Sequence, residues 1–266
     1  MIFKALTIAG SDSGGGAGIQ QDLKTFQAFG VWGMTAITAV TVQNTLGVSG
    51  FVELPAETVA EQIVAVASDI GVDAAKTGML AGTAIIEAVA RAVRHSEIDR
   101  LVVDPVFISK HGDPLLHADA VDALRREIVP LAMVVTPNAH EAAGLAEMSE
   151  VRTHAQQVEA GERILGLGAR AVLVKGGHVE GADAVDVLVT GGTVREYASA
   201  RLDTPNTHGT GCMLSAAITA GLAKGLDPET AVGDAKEFVT GAIEHSLAIG
   251  KGIGPVNPSW RREAEN

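Results

Sequence analysis

The residues best placed to do chemistry lie in the stretch His208-Gly-Thr-Gly-Cys212. Two glycines and a threonine there precede the only cysteine of the chain and a long apolar run. Gly209 and Gly211 let backbone amides converge, and the helix expected to follow adds the positive end of its dipole. With Thr210 between them they form a cup in which an anion, such as a phosphoryl group in transfer, would be stabilised. The same pattern also describes a buried helix start that needs glycine for close packing.

Three further positions point to phosphate and cation chemistry. Lys175 ends the apolar run AVLVK and precedes Gly176 and Gly177. There it can act as a point charge on a phosphate, or simply snorkel off a strand end. Asp104 ends LVVDP in the same way. With Asn138 and Glu141 of TPNAHE it offers oxygen donors suited to magnesium or its waters. Asn138 equally reads as a helix N-cap, with Glu141 as a helix N-terminal charge.

The glycines of GSDSGGGAG follow the first expected strand, where a dinucleotide fold carries its fingerprint. Gly14, Gly16 and Gly18 give G-x-G-x-G rather than G-x-G-x-x-G, and no acidic residue clearly closes a second strand about twenty residues on. A nicotinamide dehydrogenase is disfavoured. GVDAAKT has a lysine and threonine but no glycine before the lysine, so a P-loop is absent as well.

These positions must be held by an alternation of strands and helices. Phe3 to Ala9 reads as a buried strand, and Ile19, Leu23 and Phe26 recur at helical spacing until Gly30. Met34 to Asn44 reads as one β-branched strand, and Pro55 starts a helix with Val59, Ile63, Val66 and Ile70 on one face. Strands at DAAKTGM, LVVDPV, MVVTPN and ARAVLVKGGH alternate with helices. From Asp183 to Leu202 the period becomes two, with Gly191-Gly192 as a hairpin turn. Two long helices follow, from about Gly211 and Pro228. The pattern implies a mostly parallel sheet with helices on both faces and an antiparallel edge hairpin. Without a linker or repeat, residues 1–266 read as one domain. Ligands of such sheets bind outside the carboxyl ends of the strands, where the polar and glycine residues fall.

Composition agrees. Hydrophobic residues make up 47% of the chain and aromatics only 3%, as in a buried sheet covered by alanine-rich helices. A net charge of −12 with no basic stripe argues against nucleic-acid binding. A single cysteine excludes an intramolecular disulfide and makes a thiolate zinc site implausible. No apolar run reaches the ~18 residues of a membrane span, and the start lacks a signal peptide's regions. The expectation is a soluble cytoplasmic protein.

Taken together, the chain resembles the ribokinase-like superfamily. Within it the chain is similar to the hydroxymethylpyrimidine kinase/phosphomethylpyrimidine kinases of thiamine biosynthesis. The resemblance rests on AGSDSGGGAGIQQDLKTF, TAVTVQNTLGV, KTGML, VVDPVF, GDPLL, TPNAHEA, VLVKGGH, NTHGTGCMLSAA and GKGIGPVNP, in order along nearly the whole chain. It implies a three-layer α/β/α sandwich that uses ATP and magnesium to phosphorylate 4-amino-5-hydroxymethyl-2-methylpyrimidine and then its monophosphate. It also implies a homodimer. By match to the motifs, Gln43 would hydrogen-bond the aminopyrimidine, Gly10, Met79 and Val106 would line its pocket, and Asp22 would help hold it. Asp104 and Glu141 would serve the metal, and Lys175 with Gly209, Thr210, Gly211 and Cys212 the transfer. A flap over about 107–116 would close the site, with Gly112 as its flexible point; His111, where a small residue is expected, either touches a phosphate or, by default, is solvated. Gln21, where the family usually has alanine, is expected to face solvent.

Sugar kinases of the superfamily usually carry aspartate at the position of Cys212. A cysteine there either accepts the proton as a thiolate or forms a small soft wall for an aromatic substrate. A pyridoxal or pyridoxine kinase of the same subfamily is the nearest alternative, and Gln43 and Met79 tilt the reading towards the pyrimidine.

Overall fold

The computed structural model describes residues 2–177, 179 and 183–261; His178, which closes ARAVLVKGGH, lies outside them. Eight strands form one sheet in the order β10-β9-β8-β7-β6-β5-β1-β2. β1 (Lys4–Ala9), β2 (Trp32–Ile37), β5 (Ala74–Thr77), β6 (Leu101–Val103), β7 (Val134–Val135) and β8 (Ala171–Val174) run parallel. β9 (Asp183–Thr190) and β10 (Thr193–Ala200) add the antiparallel edge hairpin the period-two stretch predicts.

The parallel strands are apolar on both faces because both are covered. Leu6, Ile8, Leu101 and Val103 face a core shared with α2 (Ala56–Asp69), α3 (Thr83–His95), α5 (Ala139–Ala146) and α6 (His154–Leu165). A composite helical stretch over 118–131, containing the short α4 (Val121–Ala123), completes that layer. Ala5, Val102, Val134 and Leu173 face the other core, built with α1 (Gly18–Ala28), α7 (Thr210–Ala223) and α8 (Pro228–Glu244). This is the expected three-layer sandwich. Among the described residues, no helix is long and apolar enough to cross a membrane.

Two expectations are corrected. Residues 34–44 are not one strand: the main sheet ends at Ile37, and β3 (Ala39–Asn44) pairs with β4 (Gly47–Glu53) in a separate antiparallel sheet. Thr38 makes the break. It is fully buried, its amide donates to Ala9 O at 3.0 Å and its hydroxyl to Met79 O at 2.6 Å. Gln21 does not face solvent either. It is 1% exposed on α1, which packs against α7.

The chain leaves β1 towards β2 on one side and returns to β5 on the other. The strand order therefore reverses between β1 and β5, and a crevice opens at their carboxyl ends.

Candidate active site

A cleft of about 790 Å³ lies along that carboxyl edge. It takes in Gly10 after β1, Gln43 on β3, Met79 after β5, Asp104 and Val106 after β6, Lys175 after β8 and Gly209–Cys212 at the start of α7. Residues scattered over 200 positions meet there because each ends or follows a strand of the same sheet, or starts the helix packed beneath it.

The glycine cup at α7 is a built feature. Gly209 is the N-cap, with φ +81°, and a Cβ on it would overlap the carbonyl oxygen of Gly16. Only glycine meets both demands. No side chain caps α7; the Thr210 amide donates to Thr207 O at 3.4 Å, which leaves the amides of Gly211 and Cys212 for a ligand. Thr210 donates its hydroxyl to Thr207 O at 2.7 Å, which fixes the entry to the helix. A Cβ on Gly211 would stand 3.5 Å from Lys175 Nζ and 3.8 Å from Asp104 Oδ2, so the cup, the lysine and the aspartate adjoin one another.

The triple glycine behaves differently. The amides of Gly14, Gly16 and Ala17 donate to the Asp12 carboxylate at 2.8, 3.0 and 2.8 Å, and His208 Nε2 lies 2.9 Å from it. That loop is wrapped around its own aspartate, and three of its amides are spent. Burial pushes Asp12 up, but His208 and these amides outweigh burial and hold its carboxyl below the usual range. The loop positions the start of α1 and ties it to the start of α7.

Lys175 Nζ sits 3.1 Å from Asp104 Oδ1 and 3.9 Å from Glu141 Oε2. Thr136 and Ser215 donate to the two Asp104 oxygens, each at 3.3 Å. Burial raises the Asp104 carboxyl, but Lys175 and Lys76 pull it below its ordinary range. Glu141 is pushed up to about 7 by burial first, with Asp104 adding and Lys175 opposing. Glu141 Oε2 also accepts the Asn138 amide at 2.8 Å, and Asn138 Oδ1 accepts the Glu141 amide at 2.9 Å. The capping reading and the site reading therefore coexist. Among the described residues, no three His, Cys, Asp or Glu side chains cluster to cage a metal. Two cleft carboxylates without a cage fit magnesium, which keeps most of its ligands as water and phosphate oxygens.

At the acceptor end, Gln43 follows a register shift between Val42 and Gln43, a bulge of the kind that re-aims a side chain into a site. A Cβ on Gly10 would stand 3.0 Å from Met79 Sδ, so glycine there lets Met79 close the pocket wall. Asp22 is the exception. It is fully buried, does not line the cleft, and bonds Thr7 Oγ1 at 2.6 Å and Lys76 Nζ at 3.0 Å through both oxygens. Any hold it has on substrate passes through Lys76, which does line the cleft. Cys212 is part-buried and free. Burial pushes its thiol up to about 12, with Lys76 opposing, so at neutral pH it stands as a thiol, which favours the wall over the base among the two readings the sequence leaves open.

Residues 107–116 fold as a turn at the rim of the cleft, and the anchor of that turn corrects the expectation for His111. Ile108 pairs with Pro114, and Gly112 turns at φ +91°. His111 is not in solvent: its Nε2 lies 3.0 Å from Thr45 O in the β3–β4 turn, and its Nδ1 is buried. Ser109 Oγ donates to Asp113 Oδ2 at 2.8 Å, and the Val48 amide donates to the same oxygen at 3.3 Å.

Beyond these residues the cleft wall mixes apolar and charged side chains. Ala200, Leu202, Leu214, Val239 and Ile243 line it beside Asp186 and Lys236. Asp186 accepts the Gly176 amide at 2.7 Å and Lys236 Nζ at 2.9 Å, which ties the turn after Lys175 to α8. Sequence reasoning put Asp12 and Lys76 at the ligand edge without giving either a role, and missed Asp186 and Lys236, whose partners lie far away in the sequence.

The phosphomethylpyrimidine kinase family profile matches residues 12–257. The hydroxymethylpyrimidine/phosphomethylpyrimidine kinase of Rhizobium meliloti is 50% identical over 259 residues, covering 97% of each chain. The ADP complex of Bacillus subtilis pyridoxal kinase superposes with TM-score 0.92 at 43% identity, covering 98% of this chain and 99% of that one. Phosphomethylpyrimidine kinase from Clostridium difficile superposes with TM-score 0.81 at 42% identity, covering 91% and 99%. A profile match that runs from residue 12 to residue 257 and a relative identical at half of its positions from end to end show that this chain belongs to the phosphomethylpyrimidine kinase family and is a small-molecule kinase.

Proposed function

We propose that the protein transfers the γ-phosphoryl group of ATP to the hydroxymethyl oxygen of 4-amino-5-hydroxymethyl-2-methylpyrimidine, and then to the monophosphate so formed. The observation that carries this reading is the shared cleft: Gln43, Met79 and Val106 adjoin the same space as Lys175 and the amides of Gly209–Cys212. Gln43 presents both a donor and an acceptor, which suits an amino group beside a ring nitrogen. The apolar walls from Val239 and Ile243 suit an adenine, and the likeness to a kinase solved with ADP supports the same nucleotide here.

The acceptor oxygen forms a bond to the γ-phosphorus as the bond to the β–γ bridging oxygen breaks, ADP leaves, and the hydroxyl proton passes to an oxygen of the transferred phosphoryl group and from there to water. Lys175 and the α7 amides offset the charge on the transferred oxygens. Such a transfer depends on positioning and electrostatics more than on a strong base. Cys212 therefore acts as a neutral wall beside the acceptor. Asp104 and Glu141 would hold magnesium, which when bound neutralises phosphate charge. The flap at 107–116 excludes water.

Incubation with the pyrimidine alcohol, ATP and magnesium, followed by product analysis, tests the proposal. A diphosphate is expected; unconsumed ATP overturns the reading. The likeness to a pyridoxal kinase favours a second reading, a pyridoxal side activity. Comparing kcat/KM for the two rings decides which is the main one.

We also place the enzyme in the cytoplasm, whose reducing conditions suit the free Cys212. A homodimer accounts for an apolar face on β3–β4. Val40, Val42 and Val52 are 49%, 64% and 69% exposed, and Val40 pairs with Val52 in the ladder. A second copy would cover them, and a monomeric mass by light scattering would reject that assembly.

A further inference from the structure

Lys76 and Asp22 form an ion pair with both side chains wholly removed from solvent, at 3.0 Å to each carboxylate oxygen. Core stability does not explain it, because a buried ion pair generally holds a core no better than apolar side chains of the same volume. Its place in the fold does. Lys76 stands on β5, at the switch point of the sheet, on the face covered by α1 and α7. It lines the cleft, and its Nζ is 3.6 Å from where a Cβ on Gly78 would be. α1 turns Gly18 and Asp22, four residues apart, towards that spot. The Gly18 amide lies close enough to Cys212 to favour a negative charge on its sulfur, and Asp22 grips Lys76. Cys212 on α7 and Lys76 on β5 are thus held over the same two points of α1.

We propose that Lys76, locked in place by Asp22, is the positioning cation of the acceptor subsite. Its ammonium offsets, at the Cys212 sulfur and the acceptor hydroxyl, the charge of the nearby carboxylates, apart from Lys175, which serves the transferred phosphate. The charged and titratable groups around Lys76 are Asp22 from α1, Asp104 after β6 and Cys212 from α7. Two acidic neighbours with no cation between them and the acceptor would oppose the partial negative charge on the attacking oxygen. Lys76 reverses that. The inference rests on the acceptor lying beside Cys212.

The test uses the double variant Lys76→Met/Asp22→Asn, which removes both charges and keeps an acceptor for Thr7. Because Cys212 is the only cysteine, alkylation by iodoacetamide reports on that sulfur alone. The expected result is a kcat lowered at least tenfold, KM for ATP within twofold of wild type, and Cys212 alkylation at pH 9 slowed at least fivefold. A role as packing alone predicts the opposite sign for alkylation, since a loosened core exposes the thiol. Should the double variant not fold, Lys76→Gln keeps a donor for Asp22, drops the charge and is read the same way. A folded variant with kcat and alkylation rate both within twofold of wild type overturns the proposal. Wild-type turnover of the pyrimidine alcohol is measured first. Its absence rejects the acceptor assignment, and the alkylation rates still decide whether Lys76 governs Cys212.

Discussion

Lys175 Nζ lies 3.1 Å from Asp104 Oδ1, so the lysine that adjoins the glycine cup is held by an aspartate that follows the strand two places away in the sheet. Burial opposes the charge on Lys175, but Asp104 and Glu141 outweigh it and keep the ammonium above its ordinary range. The lysine therefore enters catalysis fully charged and already aimed. Such preorganisation is what stabilises charge that develops during transfer.

Lys175→Met removes that charge while keeping much of the stem. It also leaves Asp104 facing the phosphates unopposed. We expect kcat to fall by about 100-fold or more, the scale of one lost electrostatic contact to the reacting group. KM for the pyrimidine should change little. Lys175→Arg should not restore the rate, because a planar fork cannot occupy a point-charge site of this size. Steady-state kinetics of the three proteins check this.

Glu141 gives a stability signal with a definite sign. Its carboxyl titrates near ~4.3 in an unfolded chain and at about 7 in the folded one. The folded state binds the proton more tightly, so its contribution is present in full below the unfolded value and is lost as pH rises through about 7. The loss is on the order of 3 kcal/mol across that window. Glu141→Gln mimics the protonated form and should remove this component. Urea denaturation of both proteins at pH 5 and pH 8, without nucleotide or magnesium, gives the difference. Equal slopes with pH would show that Glu141 is ionised throughout.

Cys212 should be dispensable as a base. A thiol pushed up to about 12 carries almost no thiolate at neutral pH. Cys212→Ala should lower kcat by less than about tenfold, as expected for loss of a wall rather than of general-base catalysis. The pH–rate profile between pH 6 and 9 should keep its shape. A drop of about 1000-fold would show that the sulfur takes the proton.

The sites of chemistry were legible because strand ends and glycine turns leave local marks. Lys175, Asp104 and the Gly209–Gly211 cup all sit where an apolar run stops. What was not legible depends on partners distant in sequence. The break at Thr38 is set by carbonyls of Ala9 and Met79, neither of which marks the local pattern. Gln21 looks like a solvent-facing helix residue until α7 is packed over α1. Asp22 reads as a ligand for substrate until Lys76, 54 residues on, takes both of its oxygens. The spacing of Gly14, Gly16 and Gly18 argues against a dinucleotide fingerprint, but the pattern cannot show what the loop does instead, which is to give three of its amides to Asp12.

His111 supplies the last prediction. Its bond to Thr45 O joins the flap to the β3–β4 turn, and Thr45 O also accepts the amide of Ile253 from the closing glycine loop. One carbonyl thus gathers three separate segments at the rim of the cleft. A flap that shuts excludes water from the γ-phosphate, and one that is poorly latched admits it. His111→Ala keeps the Ser109–Asp113 bond that shapes the flap and removes only the latch. The expected outcome is a rise of about three- to tenfold in ATP hydrolysis without acceptor, the effect of losing about 1 kcal/mol of one hydrogen bond. Phosphoryl transfer to the pyrimidine at saturation should fall by less. Coupled assays of ADP release with and without the pyrimidine alcohol separate the two. An unchanged hydrolysis rate would mean that the flap closes without His111.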